Sequence, residues 1–354
     1  MILINGNFLC RNLTGIERFS WEVCTRLDSL LTDKDDIRIL VPANAEKIPE
    51  FKNIKIEKSE KNIKSFPKWD MIDFALACRK MKATALNFSN TAPLGKLCGI
   101  SFLHDIYARS FPRDFVTFKD RLIKLYCRFS YKNIAKNAKL VLTVSEFSKK
   151  EIQKAYKVKD ERIKVISNGW DHFKNIQSDK KIFDRFPELK AREYFFTLGS
   201  LSKRKNLRWI CDYAKKHENE IFAVSGKAIS GLVPEELKDL QKLKNVILPG
   251  YVSDGEVKAL MQKCRAFVFP SYYEGFGIPP LEALSCGAQA IVSDAACLPE
   301  IYKNTVHYID IKNTDTDLTE LLKEKVEEPS KVLAEFTYQN AAEKLLSVLR
   351  ESEN

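Results

Sequence analysis

The chain has 354 residues, 45% of them apolar and 30% charged, a balance typical of a globular protein with two domains. No apolar run reaches bilayer-spanning length, no signal peptide is visible, and the nine cysteines form no C-x2-C pair, so we expect a reduced, cytoplasmic protein without a zinc site or disulfide framework. The net charge of +11 indicates an anionic partner, which could be nucleotide phosphates, a membrane surface or nucleic acid.

Short apolar runs that alternate with helical patterns predict a parallel, doubly wound α/β sheet in the first half of the chain. No G-x-G-x-x-G follows any of these runs, which argues against a dinucleotide-binding domain. The predicted runs are Ile2 to Ile4, Ile37 to Val41, Ile54 to Glu57, Ala85 to Phe88, Ile100 to Leu103, Leu140 to Val144 and Lys164 to Ile166.

Two positions that follow these strands are candidates for ligand contact. Gly15 begins a predicted helix, with Thr14 and Glu17 at the spacing of a capping box. Gly15 could be a turn residue, an interpretation as good as the ligand contact that a family resemblance described below implies. His104 directly follows Ile100 to Leu103, and ligands of open α/β sheets bind at the carboxyl ends of strands. His104 is therefore a better candidate than the other three histidines, which are His172, His217 and His307.

A long helix is predicted from Phe118 to Lys136, and it combines an apolar face with a basic one. The apolar face consists of Phe118, Leu122, Leu125 and Phe129, and the basic stripe consists of Arg121, Lys124, Arg128, Lys132 and Lys136. The favoured interpretation of the stripe is a solvated charged face. The alternative is contact with an anionic membrane, where polyprenyl-phosphate acceptors lie.

The segment from Trp170 to Arg192 is charged, contains Pro187 and is predicted to connect the domains. The second domain is predicted to begin at the strand Tyr194 to Leu198, and an amphipathic helix from Phe336 to Leu349 ends the chain. Its further predicted strands are Ile221 to Val224, Val246 to Leu248, Ala266 to Phe269 and Ala290 to Val292. The predicted domains are 1–170 and 171–335, followed by a terminal segment 336–354.

A basic loop, Gly199 to Asn206, follows the first strand of the second domain. Arg204 and Lys205 could neutralise a diphosphate, lysine as a point charge and arginine through paired hydrogen bonds. A basic loop is more often simply solvated, but this one follows a strand end.

The loop after Ala266 to Phe269 carries Glu274, and the helix predicted to follow it carries Glu282. The glycines of the loop allow close approach of the backbone to a ligand, and the amides at a helix start attract an anion such as phosphate. Carboxylates repel phosphate and suit hydroxyl groups, so phosphate and hydroxyls together indicate a nucleotide sugar. For either glutamate alone, interaction with the helix dipole is the simpler interpretation.

Glu274 and Glu282 enclose seven residues, GFGIPPL, and this run resembles the E-x7-E signature of glycosyltransferase family 4, whose members have the GT-B fold. The resemblance extends along most of the chain. The further segments that carry it are G-I-E-R from Gly15, H-D at His104, T-V-S-E-F-S-K-K-E-I from Thr143, V-I-S-N-G from Val165 and G-S-L-S-K-R-K-N from Gly199.

The resemblance implies two Rossmann-like domains facing a cleft, with the last helix crossing back to the first domain. It implies a retaining, metal-independent, cofactor-free glycosyltransferase that moves a sugar from a nucleoside-diphosphate sugar to a glycan or polyprenyl-diphosphate-linked acceptor. Surface polysaccharide biosynthesis is the expected setting, in the cytoplasm or peripherally on the inner face of the cell membrane. Asp315 and Asp317 form a D-x-D that we interpret as a surface feature and not as a metal site.

The resemblance also implies a role for each site residue. Lys205 and Arg204 would stabilise the leaving diphosphate, Glu282 would hold ribose hydroxyls, and Glu274 and His104 would face the transferred sugar. The other implied donor contacts are Gly15, Gly226, Tyr251, Val252, Gly275, Phe276, Gly277 and Ile278, with Tyr251 and Val252 beside the nucleobase.

Three alternatives compete with a transferase. A nucleic-acid-binding protein is suggested by charge alone, and the sequence lacks the aromatic-basic motifs of RNA binding. An inactive GT-B scaffold would tolerate loss of Lys205, Glu274 or Glu282, and all three are present. A GT-B nucleotide-sugar epimerase is the alternative among enzymes.

Overall fold

The computed structural model describes residues 1–189, 193–199, 202–226 and 236–353. These residues form two compact units, one from Met1–Gly169 together with the chain from Phe336 onwards, and one from Trp170–Glu335. The division after Gly169 lies one residue before the predicted boundary.

The first unit contains a seven-stranded sheet in which every described pair of strands is parallel. The order is β3-β2-β1-β4-β5-β6-β7, so β1 and β4 are neighbours at its centre. Ile4, Ile39 and Leu86 are completely buried, as expected for a sheet covered on both faces. The strands are β1 Ile2–Asn5, β2 Ile37–Val41, β3 Lys55–Lys58, β4 Thr84–Asn87, β5 Ile100–Phe102, β6 Leu140–Thr143 and β7 Ile163–Val165.

The second unit contains a six-stranded sheet, again parallel in every described pair. Its order, β10-β9-β8-β11-β12-β13, repeats the first six positions of the first sheet. Because β8 pairs directly with β11, the loops that leave their carboxyl ends are adjacent. The strands are β8 Tyr194–Leu198, β9 Ile221–Ser225, β10 Val246–Gly250, β11 Ala266–Phe269, β12 Gln289–Ser293 and β13 His307–Ile309.

Helices connect the strands, as the alternating pattern predicts, and the predicted pair of doubly wound α/β domains is confirmed. A π-helical turn, Trp69–Asp73, joins α2 to α3. Among the described residues the helices are α1 Gly15–Leu30, α2 Phe66–Lys68, α3 Phe74–Met81, α4 Tyr107–Ser110, α5 Phe118–Asn137, α6 Glu146–Tyr156, α7 Ile182–Arg185, α8 Leu207–Lys216, α9 Glu236–Leu240, α10 Asp254–Lys263, α11 Pro279–Ser285, α12 Leu298–Tyr302, α13 Leu318–Leu321, α14 Ser330–Glu335 and α15 Tyr338–Glu353.

Helix α15 belongs to the first unit, as the resemblance implied. Its apolar face packs in the same core as α1, with Tyr338, Ala342 and Leu345 completely buried. The chain crosses closely at Gly169, where a Cβ atom would lie 2.1 Å from the backbone nitrogen of Tyr338. The close approach therefore requires glycine at this position.

Helix α5 exposes the apolar face that the sequence singles out. Thr117 and Asp120 form a capping box at its start, and the opposite face packs into the core through residues such as Tyr131 and Ile134. Phe118, Leu122, Leu125 and Phe129 are 77%, 52%, 61% and 52% exposed, respectively. The helix thus has two apolar faces, and the described residues of this chain bury only one of them.

The predicted connection from Trp170 is packed against the second unit rather than extended. The Trp170 indole donates to the carbonyl of Leu333 at 2.8 Å, and Lys258 Nζ donates to the carbonyl of Phe173 at 2.9 Å. Phe173 is buried, whereas the predicted end of the connection, up to Arg192, lies outside the described residues. Within the described chain no helix combines the length and apolar character needed to traverse a bilayer.

Candidate functional site

The basic loop after β8 and the glutamate loop after β11 meet at the carboxyl edge of the second sheet. The basic loop forms a short 3₁₀ turn, Lys203–Lys205, and the backbone carbonyl of Arg204 accepts a hydrogen bond from Tyr272 N at 3.0 Å. Lys205 Nζ lies 2.7 Å from Glu274 Oε1. Two residues that the sequence assigns separately to diphosphate and sugar are therefore in direct contact.

The Lys205–Glu274 pair is almost completely buried, since the two side chains are 12% and 7% exposed. Burial opposes ionisation of Glu274, but the cations of Lys205 and Arg204 outweigh it and lower the Glu274 pKa below its ordinary value. Burial also lowers the pKa of Lys205, an effect that Glu274 offsets only in part. Lys205 Nζ lies 4.5 Å from the centre of the Phe269 ring, a cation–π contact that helps to hold the ammonium.

Gly199 leaves room for the Lys205 side chain. A Cβ atom there would lie 3.1 Å from Lys205 Cε, so a larger residue would crowd the Lys205 side chain. A cavity of about 10 Å³, roughly the space for one water molecule, lies beside them and is lined in part by Gly199, Lys205, Phe269 and Ser271. The strand end is thus shaped around the ammonium group.

The glycine loop before α11 is fixed by residues of the next helix. Gly277 has φ +85°, and a Cβ atom there would lie 2.8 Å from Leu298 Cδ2. Cys297 Sγ donates to the carbonyl of Phe276 at 3.2 Å, and the Tyr302 hydroxyl donates to the carbonyl of Gly277. The sequence pattern did not identify Cys297 and Tyr302 as supports, because they lie after the following strand. The predicted ligand contacts of Gly275, Phe276, Gly277 and Ile278 remain predictions.

Glu282 lies on α11, which begins at Pro279, and its partner was not expected. His172 Nε2 lies 3.3 Å from Glu282 Oε1, and the two side chains are 5% and 12% exposed. The sequence ranks His172 below His104 because it follows no strand. Its contact depends on tertiary packing of the segment that begins at Trp170.

The predicted nucleobase edge lies at the carboxyl ends of β9 and β10. Gly226 N donates to the carbonyl of Gly250 at 3.3 Å, and Ser225 Oγ donates to the same carbonyl at 2.7 Å. Tyr251 is 76% exposed, whereas Val252 is buried. These residues share the sheet edge with Lys205 and Glu274, and Tyr251 presents an accessible aromatic ring.

The other two predicted site residues, Gly15 and His104, belong to the first unit. His104 Nε2 lies 2.7 Å from the carbonyl of Phe88, which can only accept, so Nε2 carries the proton and Nδ1 is an acceptor in the neutral ring. Burial lowers the pKa of His104, and its ring stacks on Phe102 at a centroid distance of 5.3 Å. The ring is therefore neutral near pH 7, and its predicted contact with the sugar remains a prediction.

Two local predictions near helix starts have different outcomes. Gly15 begins α1, but the predicted capping box is wrong, because the Thr14 hydroxyl donates to the Glu17 carboxylate instead of capping backbone amides. Asp317 caps α13 through the amides of Thr319 and Glu320, at 2.8 and 3.1 Å. Asp315 pairs with Lys216 at 2.5 Å, so both carboxylates of the D-x-D have structural partners.

Family models match nearly the whole chain in two consecutive pieces. The model described as Glycosyltransferase Family 4 matches residues 14–172, and the model described as Glycosyl transferases group 1 matches residues 178–344. The two matches meet where the first unit ends and the second begins.

Named relatives point to the same family. The O-antigen chain mannosyltransferase RfbU of Salmonella typhimurium is 30% identical over 250 residues, which is 68% of this chain and 66% of RfbU. The O-antigen chain mannosyltransferase B of Escherichia coli is 28% identical over 214 residues, which is 58% of this chain and 56% of the relative. The matched region thus spans just under two thirds of RfbU and a little over half of the second relative.

A solved structure shares the fold over almost the full length. The Anabaena protein HepE, determined in complex with UDP-glucose, superposes with a TM-score of 0.67 at 16% identity, covering 99% of both chains. Together with the two parallel sheets and the motifs at their carboxyl edges, these matches show that the chain belongs to glycosyltransferase family 4 and has the GT-B fold.

Proposed function

We propose that the protein is a retaining, metal-independent glycosyltransferase that transfers a sugar from a nucleoside-diphosphate sugar to a glycan or lipid-linked acceptor during surface polysaccharide assembly. The buried Lys205–Glu274 pair carries this proposal, because it places a cation suited to phosphate beside a carboxylate suited to sugar hydroxyls. The relatives named as O-antigen mannosyltransferases favour mannose as the first sugar to test, and the HepE complex supports a nucleotide-sugar donor.

Each charged group has one task in this reaction. Lys205, helped by Arg204, stabilises the negative charge that grows on the leaving diphosphate as the glycosidic bond breaks. Glu274 accepts hydrogen bonds from sugar hydroxyls, and its contact with Lys205 holds it in the ionised form. With Glu274 engaged in this way, no protein nucleophile is assigned. The acceptor attacks from the face that the diphosphate leaves, and the diphosphate takes the acceptor proton.

The charges at the same edge support the proposal of metal independence. The cations of Lys205 and Arg204 supply positive charge where a divalent ion would otherwise neutralise the diphosphate. The two aspartates of the D-x-D contact Lys216 and the start of α13, respectively.

The exposed apolar face of α5 supports peripheral attachment to an anionic membrane, where a lipid-linked acceptor would lie. Phe118, Leu122, Leu125 and Phe129 fall within about 60° of arc on the helix. Basic residues of α5 that are exposed beside or beyond this face are Lys119, Arg121, Arg128, Lys132 and Lys136. Lys124 is directed elsewhere, since its Nζ donates to the carbonyl of Pro112 at 3.1 Å. An exposed apolar face bordered by basic residues suits shallow insertion among acidic headgroups.

The experiment that tests the proposal is incubation of the purified protein with a panel of nucleotide sugars, including GDP-mannose and UDP-glucose, with and without a lipid-linked glycan acceptor. We expect release of a nucleoside diphosphate from one donor, stimulation by acceptor, and a product with the donor's anomeric configuration. Conversion of the donor into a different nucleotide sugar would indicate an epimerase. Donor binding without any turnover would indicate a scaffold, and an inverted product would contradict retention.

A further inference from the structure

His172 is held against the helix that carries Glu282. It lies in the 3₁₀ turn Asp171–Asn175, and its Nε2 is 3.3 Å from Glu282 Oε1. An ionised carboxylate can only accept hydrogen bonds, so the imidazole nitrogen that faces it carries a proton. One oxygen of Glu282 is therefore engaged by protein, and the geometry of the carboxylate is fixed on that side.

The position of His172 is determined by the packing on both sides of it in the chain. Trp170 is anchored to the carbonyl of Leu333, and Lys258 Nζ donates to the carbonyls of Phe173 and Lys174 at 2.9 and 3.2 Å. Phe173 itself is only 2% exposed. These contacts fix the backbone on both sides of His172, and the His172 side chain itself is only 5% exposed beside Glu282.

We propose that His172 is a positioning residue that orients the Glu282 carboxylate towards the ribose hydroxyls of the donor. This inference rests on the proposed function and on the role that the family resemblance implies for Glu282, which is to hold the ribose hydroxyls. With Oε1 held by His172, Oε2 keeps its lone pairs for the ribose hydroxyls. A carboxylate that is already oriented loses less side-chain freedom when the ligand binds, which favours affinity.

The test is calorimetric titration of the full chain with GDP and UDP and with their 2′,3′-dideoxy forms, which lack the hydroxyls assigned to Glu282. We expect His172→Ala to lower the affinity for the ribonucleotide that binds by about fivefold, the effect of losing the orientation of one side chain, while affinity for its dideoxy form is unchanged. His172→Gln keeps a side-chain donor and should restore part of the loss. In a Glu282→Gln background, His172→Ala should have no further effect.

His307→Gln is the matched control. The His307 Nε2 also meets a side-chain oxygen, Gln289 Oε1 at 3.0 Å, but both residues begin strands and therefore lie at the opposite edge of the sheet. We expect this variant to show no selective loss of affinity for the ribonucleotide. Melting temperatures of all variants report whether each one folds.

Three results would overturn the inference. Unchanged ribonucleotide affinity in His172→Ala would show that Glu282 needs no orientation. Equal loss with the ribonucleotide and its dideoxy form would show that His172 supports the fold and not the ribose contact. Binding of neither GDP nor UDP by the wild type would refute the donor assignment as well.

Discussion

At the carboxyl edge of the first sheet Asp70 is fully buried among amide and hydroxyl donors, whereas at the same edge of the second sheet Lys205 and Glu274 form a nearly buried ion pair. Asp70 Oδ1 accepts from Asn5 and Asn7, at 2.9 and 2.8 Å, and Oδ2 accepts from Thr91 at 2.7 Å. Burial raises the pKa of Asp70, an effect that these hydrogen bonds oppose.

The two sheets share one strand order, but the buried charges at their carboxyl edges differ in chemistry. At the first edge Asp70 accepts hydrogen bonds from neutral donors of its own unit, with a smaller contribution from the Arg11 cation, which is the arrangement of a structural network. At the second edge a cation and an anion share a pocket, and each could exchange its partner for a phosphate or a hydroxyl group. Charge that is poised in this way is typical of a functional site.

The largest expected effect is on turnover. Lys205→Ala should lower kcat by about a hundredfold, because its ammonium stabilises charge that develops only as the donor bond breaks. Arg204 next to it could conceal part of the loss, so the double variant should be slower still. Lys203→Ala is the control, since Lys203 is an exposed basic residue of the same turn. Steady-state kinetics on the active donor measures all three, and normal turnover of Lys205→Ala would place the diphosphate elsewhere.

A substitution at the carboxyl edge of the first sheet should lower the stability of the fold. Asp70→Ala leaves the buried donors of Asn5, Asn7 and Thr91 without their acceptor and should lower the free energy of unfolding by about 2 kcal/mol. Urea denaturation of the wild type and the variant measures the loss. The matched substitution Glu274→Ala should lower stability too, because it leaves the Lys205 ammonium without its buried partner, but unlike Asp70→Ala it should also lower nucleotide-sugar turnover. If Asp70→Ala unfolds at the wild-type denaturant concentration, the network is not structural.

A smaller effect is expected at Glu282. Glu282→Gln keeps the shape but weakens charge-assisted hydrogen bonds, and affinity for the nucleoside diphosphate should fall by about tenfold with the fold intact. Calorimetry gives the affinity, and circular dichroism serves as the folding control. Equal affinity of Glu282→Gln and the wild type would remove Glu282 from the donor site.

Membrane attachment through α5 involves still smaller contributions from each residue. Arg128→Ala should weaken binding to anionic liposomes by about 1 kcal/mol, and charge reversal at Arg121, Arg128 and Lys132 together should abolish it at moderate salt. Leu125→Ser should also weaken binding, whereas substitution of Lys124, which contacts Pro112, should matter less. Co-sedimentation with liposomes measures the binding of each variant. Equal binding to neutral and anionic vesicles would contradict the proposal.

Removal of divalent metal ions is expected to have no effect on activity. Activity should be unchanged in excess chelator, because Arg204 and Lys205 provide the positive charge at the diphosphate. Initial rates with and without EDTA test this. Loss of activity that manganese restores would require Asp315 and Asp317 to be reconsidered as ligands.

Local patterns predicted much of this molecule. The strands Ile37–Val41, Tyr194–Leu198 and Ala266–Phe269 agree with the structure residue for residue, because short apolar runs bounded by turn residues have few alternatives. The sequence could not show which face of α5 meets the core, since Leu122 and Leu125 repeat at helical spacing as regularly as Tyr131 and Ile134.

The sequence did not predict the contacts between segments that are distant along the chain. The positions of Lys205 and Glu274 followed from strand ends, but their direct pairing depends on β8 lying beside β11, which no local pattern specifies. His172 was passed over for the same reason, because its partner is more than a hundred residues away on α11. The capping box predicted at Thr14 failed because a side-chain acceptor, Glu17, competes with the backbone amides.

The central claim is that the second unit binds a nucleoside-diphosphate sugar through Lys205 and the two glutamates. Calorimetric titration of the wild type and of Lys205→Ala with GDP and UDP tests it most directly. We predict saturable binding of at least one nucleotide to the wild type, and weaker binding to Lys205→Ala. The variant should still unfold cooperatively, at a melting temperature lowered by the loss of the buried partner of Glu274. Nucleotide binding with equal affinity to both proteins, or no binding to the wild type, would contradict the claim.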